Sequence, residues 1–436
     1  MQRAGWICAA CSSGYPVIGE VPWLFAEPRA ALAEWCDRLH FLLLELEREA
    51  RILRAELDAP DRLASTRRRL ELLATANEDH ARRLRDLLAP LGLADVQTSY
   101  ETHLALRTRL PADQGLTNYY VNVHRDWVWG DEENAASLAL IRSTAGDAHD
   151  WGITVVLGAG AGRLAYDVHM SCVPRFTVAV DFNPLLLFVA RDMARGESLQ
   201  LYEFPIAPRT IEDHALLRTL RAPAAARPGF FTVGADVLRA PFVGEAIDTV
   251  VTPWLIDIID EDFARFAARV NGMLRPGGCW INFGSLSFSQ GERAWRLSRE
   301  EVVELLESAG FEDLQLQEAT IPYMRCPSSR HSRLETVVVW RARKARTVPP
   351  PGEHSVLPDW LVHADRPVPL LEDFRVQAVS TRIHAFLMSL IDGRRSLRDI
   401  ARLLVEQRLM TPQDAEPAVR RFLTRMYEDS RRRAGY

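Results

Sequence analysis

Ile153-Thr-Val-Val-Leu157-Gly-Ala-Gly160-Ala-Gly162-Arg163-Leu164 is the stretch whose reading decides the fold. Its first five residues are a short β-branched run, which predicts a buried strand. Three alternating glycines end the run and lead into a helix. A strand that turns through Gly-x-Gly-x-Gly lets backbone approach a ligand closely and aims helix N–H groups at it. Many nucleotide sites share this pattern, and tight packing of a helix on a strand calls for the same glycines.

Outward from that loop, strand and helix signals alternate. Apolar strands are expected at 176–180, 249–251, 280–283 and 335–340, with helices near 184–195, 259–274 and 298–309. Ser298-Arg-Glu-Glu301 is a capping box for the last of these helices, and Gly310 suits the left-handed position after it. Such alternation predicts an α/β, doubly wound Rossmann-like sheet.

Three features specify the ligand further. Asp181 ends the second strand, about 20 residues beyond the glycines, where a carboxylate can accept both ribose hydroxyls of an adenosine. Gly234-Ala-Asp236-Val237 places an acid where the adenine amino group would lie. Leu274-Arg-Pro276-Gly277-Gly278-Cys-Trp-Ile-Asn282 sets a Pro-Gly-Gly turn between helix and strand. A dehydrogenase would more often follow that turn with Tyr/Lys or Ser/His residues, and the chain's single lysine is Lys344. The combination therefore favours S-adenosylmethionine over a nicotinamide, with Gly158, Gly160, Gly162, Asp181, Asp236 and Val237 around it.

Four motifs in this order carry a resemblance: Asn122-Val-His-Arg125-Asp126-Trp127, Leu157-Gly-Ala-Gly-Ala-Gly-Arg163-Leu164, Trp254-Leu-Ile-Asp257 and Trp280-Ile-Asn282-Phe-Gly284. Over roughly 110–345 they resemble the carnosine N-methyltransferase family, S-adenosylmethionine-dependent enzymes. The resemblance implies that Asn122 and Arg125 hold the cofactor's methionine carboxylate; a planar guanidinium suits that bidentate task. A structural ion pair with Asp126 is the other reading of Arg125. It also implies that Asp257 holds the substrate's imidazole, as catalytic and substrate-binding residue, fixing its tautomer and stabilising the cation that develops. The plainer role for Asp257 is an N-cap of the next helix, shared with Asp260 and Glu261. The sequence departs from the animal enzymes twice. Ser287-Phe288-Ser289-Gln290 stands where a histidine is expected, and Arg333-Leu334 stands where substrate-binding tyrosines are expected. Tyr323 and His331 lie near enough to take over, and each also reads as ordinary surface. The expected activity is N-methylation of an imidazole in a small histidine derivative, of the dipeptide or thiol-histidine type, with carnosine itself disfavoured. The alternatives are a histidine within a delivered peptide, or a non-catalytic adenosylmethionine-binding protein.

The flanks fill out a chain of 436 residues, too long for one ordinary core. Residues 1–25, with Cys8 and Cys11, look like a degenerate zinc-ribbon-like module, since a structural zinc needs about four ligands; no metal is expected. Residues 28–110 read as a helical hairpin broken at Asp58-Ala-Pro60, and 111–345 as the methyltransferase domain. Residues 346–356 are a Pro-rich linker, and 357–436 a small helical, winged-helix-like domain. Within the last, Asp392-Gly393-Arg-Arg-Ser396-Leu397 weakly resembles peptide-chaperone domains, so a peptide partner is one expectation beside a small-molecule substrate. A net charge of -5 gives no footprint for nucleic acid or an anionic membrane. No apolar run reaches the roughly 18 residues of a membrane span. Six cysteines, mostly isolated within apolar segments, and no visible secretory signal point to a cytoplasmic protein with reduced thiols.

Overall fold

A computed structural model describes residues 5–9, 12–60, 62–93, 119–259, 261–288, 293–351 and 367–433. The chain divides into two compact units, Met1–Pro351 and Gly352–Tyr436.

The first unit opens with three short antiparallel strands, β1 (Gly5–Ile7), β2 (Gly14–Ile18) and β3 (Val21–Pro22). Two helices follow, α1 (Pro28–Leu57) and α2 (Ala64–Leu87). Leu39 and Leu43 of α1 and Leu84 of α2 share one apolar cluster, because three- and four-residue spacing puts them on facing stripes. A single helical turn, α3 (Tyr120–His124), runs straight into a π-helical turn over Arg125–Trp129. Next comes α4 (Asp131–Ala145).

The Rossmann-like sheet is built from β4 (Ile153–Leu157), β5 (Phe176–Asp181), β8 (Phe230–Gly234), β9 (Ile247–Pro253), β10 (Leu274–Gly284), β11 (Phe311–Tyr323) and β12 (Arg333–Lys344). Its order is β11-β12-β10-β9-β4-β5-β8, parallel except that β12 runs antiparallel to both neighbours. Val155, Val156 and Leu157 of β4 are fully buried, as expected for a central strand covered on both faces. Each such side chain contributes roughly 1.5–3 kcal/mol of burial. Helices α5 (Arg163–Cys172), α6 (Pro184–Ala194), α7 (Phe263–Met273) and α8 (Arg299–Ser308) cover the sheet. The Ser298–Glu301 capping box is formed on both sides.

Three findings depart from the sequence expectations. The Pro276-Gly277-Gly278 turn falls inside β10, where pairing with β9 breaks between Leu274 and Cys279, so it is a bulge that starts the strand. A hairpin of β6 (Ser198–Glu203) and β7 (Leu216–Arg221) interrupts the crossover from α6 to β8. The N-terminal module does not stand apart, because Trp23 is 1% exposed and bridges in parallel to Gly234 on the sheet's edge. A Cβ on Gly234 would stand 2.3 Å from the Trp23 ring, so a glycine is needed there. Cys11 lies outside the described residues.

Lys344 closes the unit. Its ammonium donates to the carbonyls of Asn271 and Leu274 at 2.8 Å each and to Glu245 at 3.1 Å, which uses all three donors of a side chain that is 1% exposed.

The second unit contains three helices, α9 (Glu372–Ser389), α10 (Leu397–Glu406) and α11 (Pro412–Arg433). Leu387, Leu390, Ile400, Leu404 and Val419 form its core. Ser396 and Asp399 make the capping box of α10. Among its described residues there is no strand, so the wing of a winged helix is not part of them.

Candidate active site

Loops at the carboxyl ends of β4, β5, β8 and β9 open on one edge of the sheet, the edge where α/β folds bind ligands. Gly158, Gly160 and Gly162 all hold left-handed φ, at +70°, +57° and +89°. A Cβ on Gly162 would stand 2.6 Å from that of Ala190, whereas among the described residues nothing beyond its chain neighbours lies within 4 Å of a Cβ built on Gly160. The loop therefore packs tightly at its helix end and leaves open space at its centre. Asp181 fastens it. One carboxylate oxygen accepts from the Gly160 amide at 2.8 Å, and the other accepts from Asn183 at 2.9 Å. Burial pushes the Asp181 carboxyl above its usual pKa, while the amides of Asn183, Gly160 and Phe182 pull the other way. Asp236 is half-buried and caps the Leu238 amide with one oxygen at 2.9 Å, and Val237 is buried beside Val180 and Val233.

The aromatic stretch of α3 and its π turn docks on this loop. Trp127 Nε1 donates to the Ala161 carbonyl at 2.8 Å, and Arg163 donates to the Asp126 carbonyl at 2.7 Å. Arg125 donates through Nε to Asp126 at 2.8 Å and pairs with Glu133 at 3.5 Å. Burial alone would lower its pKa, but the two carboxylates outweigh burial and keep the guanidinium charged. Asn122 is half-buried, and among the described residues its side-chain amide has no protein partner.

Asp257 lies just beyond β9 and is 8% exposed. Burial raises its pKa from 3.8 to about 6, and the nearby negative charge of Glu335 adds to the rise. Its own amide, the Ser285 hydroxyl and the Ser287 amide favour the carboxylate and oppose that rise. It does not cap the following helix. The N-cap of α7 is Asp262, whose carboxylate accepts from Ala264 at 2.8 Å and Arg265 at 3.2 Å. The capping role expected for Asp257 and Glu261 thus belongs to Asp262, and Asp260 lies outside the described residues.

Tyr323, at the end of β11, packs on Trp254 with ring centroids 4.7 Å apart. Its hydroxyl is raised in pKa chiefly by burial, and the charges of Arg125, Glu133, Arg333 and Glu335 all reach it. His331 is exposed; its amide donates to the Ser329 hydroxyl, and its ring has no protein partner among the described residues.

Several site residues carried no sequence assignment. Tyr119 is raised in pKa by burial and then by the charges of Asp181, Asp257 and Tyr323, so its phenol lies within electrostatic reach of both carboxylates. Trp254 holds a left-handed φ of 49°, rare for a bulky residue, with its amide donating to Phe283 at 2.7 Å. Glu133, 5% exposed, accepts from the Met324 amide at 2.8 Å and so ties Arg125 to the loop after Tyr323. Trp254 opens one of the motifs that carry the resemblance, whereas Tyr119 precedes the first of them. Glu133, Ser285 and Glu335 sit in ordinary helix, loop and strand sequence and offer no such signal.

Comparison with known proteins bears on this arrangement. Residues 139–346 match the family model of carnosine N-methyltransferase. Over this segment the chain is similar to that family. Slightly less than half of the chain is matched, from α4 through the end of the sheet. Similar solved structures include a Thermotoga maritima S-adenosylmethionine-dependent methyltransferase described as a possible histamine N-methyltransferase. It is 17% identical, with 52% of this chain and 94% of that chain covered and a TM-score of 0.31. The N-methyltransferase NodS of Bradyrhizobium japonicum, bound to S-adenosylhomocysteine, is 13% identical over 52% of this chain and 100% of its own, with a TM-score of 0.35. No curated protein matches the sequence. The family domain makes the chain an S-adenosylmethionine-dependent N-methyltransferase. Its residues are compatible with that cofactor: no described residue fills the centre of the glycine loop at Gly160, and the Asp181 carboxylate is fixed beside it. Among the described residues no helix is long and apolar enough to cross a membrane.

Proposed function

We propose that the enzyme methylates an imidazole nitrogen of a small histidine derivative, with Asp257 as the residue that holds the imidazole. The supporting observation is the carboxylate itself: buried, at the sheet's carboxyl edge, free of any capping duty, and within electrostatic reach of the tyrosine that also faces Asp181.

When bound, S-adenosylmethionine supplies a methyl group already activated by its sulfonium, so catalysis consists mainly of positioning. Gly158, Gly160 and Gly162 let backbone meet the cofactor closely, and Asp181 accepts from the ribose. Asp236 and Val237 border the adenine. Arg125 and Asn122 receive the methionine carboxylate; the Asn122 amide is free to do so, and Arg125 keeps a charge that Asp126 and Glu133 orient. Asp257 accepts a hydrogen bond from one imidazole N–H. The other nitrogen then presents its lone pair, the tautomer is fixed, and the cation formed as the N–C bond is made is stabilised where it arises. Tyr119, Trp254 and Tyr323 wall the ring, while His331, exposed and outside this group, is assigned no contact.

The test is a panel of imidazole compounds incubated with enzyme and cofactor, with methyl adducts detected by mass spectrometry. An adduct on an imidazole nitrogen is expected, lost in Asp257→Ala while S-adenosylhomocysteine affinity is kept. Methylation of an aliphatic amine alone would refute the assignment.

A further inference from the structure

We infer that Arg333 selects substrates that carry a carboxylate in addition to the imidazole. This rests on the imidazole reading of the site and deepens it.

Arg333 opens β12 and pairs in register with Tyr323 at the end of β11. Cross-strand neighbours place side chains on one face within reach of each other, and here the guanidinium lies over the Tyr323 ring, 4.4 Å from its centroid. Trp254 packs on the same tyrosine. Arg333 Nε also pairs with Glu335 at 3.0 Å, and Glu335 is the carboxylate whose charge reaches Asp257. Arg333 thus touches the aromatic wall directly and is one residue removed from the buried Asp257 carboxylate.

Its exposure distinguishes it from the other cation there. Arg125 is 12% exposed and enclosed between Asp126 and Glu133. The Arg333 side chain is 56% exposed and pairs with Glu335 through Nε at 3.0 Å. A guanidinium presents a planar fork that matches a carboxylate, and stacking on Tyr323 fixes the plane of that fork in advance. Further in, Asp257 is a buried carboxylate within electrostatic reach of Glu335. A substrate whose imidazole enters toward Asp257 and whose carboxylate stays at the rim meets a charge of suitable sign at each end. An imidazole amine lacking the carboxylate leaves the Arg333 fork unmatched.

The test uses pairs that differ only in the carboxylate: histidine against histamine, and β-alanylhistidine against β-alanylhistamine. In the full-length wild type, kcat/KM is expected to favour the carboxylate member by about tenfold. Arg333→Ala is expected to erase most of that ratio through KM of the carboxylate member, Arg333→Lys to keep part of it, and Arg333→Glu to invert it. S-adenosylhomocysteine affinity measured alongside reports an intact fold. A ratio unchanged in Arg333→Ala, or a wild type that prefers the amines, overturns the inference and leaves the imidazole reading standing. Failure of the wild type to methylate any of the four compounds overturns both.

Discussion

Asp257→Asn should make the protein more stable at neutral pH while stopping turnover. The carboxyl has a pKa of about 6 in the folded chain against an ordinary 3.8. The folded state therefore holds this proton more tightly than the unfolded one. That contribution to stability is complete below pH 3.8, fades as pH rises, and is gone above about 6. At 1.36 kcal/mol per pKa unit, keeping the group ionised at neutral pH costs about 3 kcal/mol. Asparagine keeps the shape and never ionises, so the variant escapes this cost. Its advantage over the wild type should grow by roughly 2 kcal/mol between about pH 4.5 and about pH 7.5, because at the lower pH the wild-type carboxyl is mostly protonated when folded. Urea unfolding of both proteins at the two pH values measures this, together with S-adenosylhomocysteine affinity, which should stay put. A stability difference that is the same at both pH values, or a variant less stable at about pH 7.5, would refute the assignment of Asp257 as a carboxylate held charged at the expense of the fold. The pH profile of kcat/KM should rise through about 6 in the wild type for the same reason.

Other substitutions act through different contacts. Gly162→Ala places a methyl 2.6 Å from Ala190 at a φ of +89°; a loss of about 1–3 kcal/mol is expected in thermal unfolding, with weaker S-adenosylhomocysteine binding. Arg125→Ala leaves Asp126 and Glu133 buried without their cation, so urea unfolding should show a loss of about 3–5 kcal/mol. It should also weaken S-adenosylhomocysteine binding, and an unchanged Kd would remove Arg125 from the cofactor site. Glu203→Ala strips Arg218, Trp129 and Cys326 of the buried carboxylate they share, at 2.8, 2.8 and 3.2 Å. A comparable loss of about 3–5 kcal/mol is expected, read by the same measurement.

The cofactor side of the fold was legible because its signals are local. Strand β4, its three glycines, and Asp181 at the end of β5 follow one another within 30 residues, and each has a backbone reason to be what it is. The α8 capping box was legible for the same reason. Strand β11 carries mixed polar residues because it is an edge strand, and so gives no clean apolar run. The β6–β7 hairpin, Ser198–Glu203 with Leu216–Arg221, is also rich in polar residues and reads as loop. At the substrate side the decisive partners are distant in sequence. Glu133 meets Met324 across 191 residues, and Glu335 reaches Asp257 only because β12 lies beside β10. No spacing rule connects such positions. Asp257 itself was found through a motif. Its freedom from capping became visible only when Asp262 was seen to take that duty.

The burial of Lys344 reaches beyond packing. It is the chain's only lysine, and its ammonium is fully engaged inside the protein. Positive charge on the surface is therefore carried by guanidinium groups, which stay protonated across the whole alkaline range. Raising the pH to 10 or 11 would bleach cationic charge from most proteins; here the cations persist and only tyrosines and thiols titrate. Amine-directed acylating and cross-linking reagents likewise find no ε-amino group to attack on the folded surface, so labelling at Lys344 would itself report that the carboxyl-terminal strand of the catalytic sheet had come away.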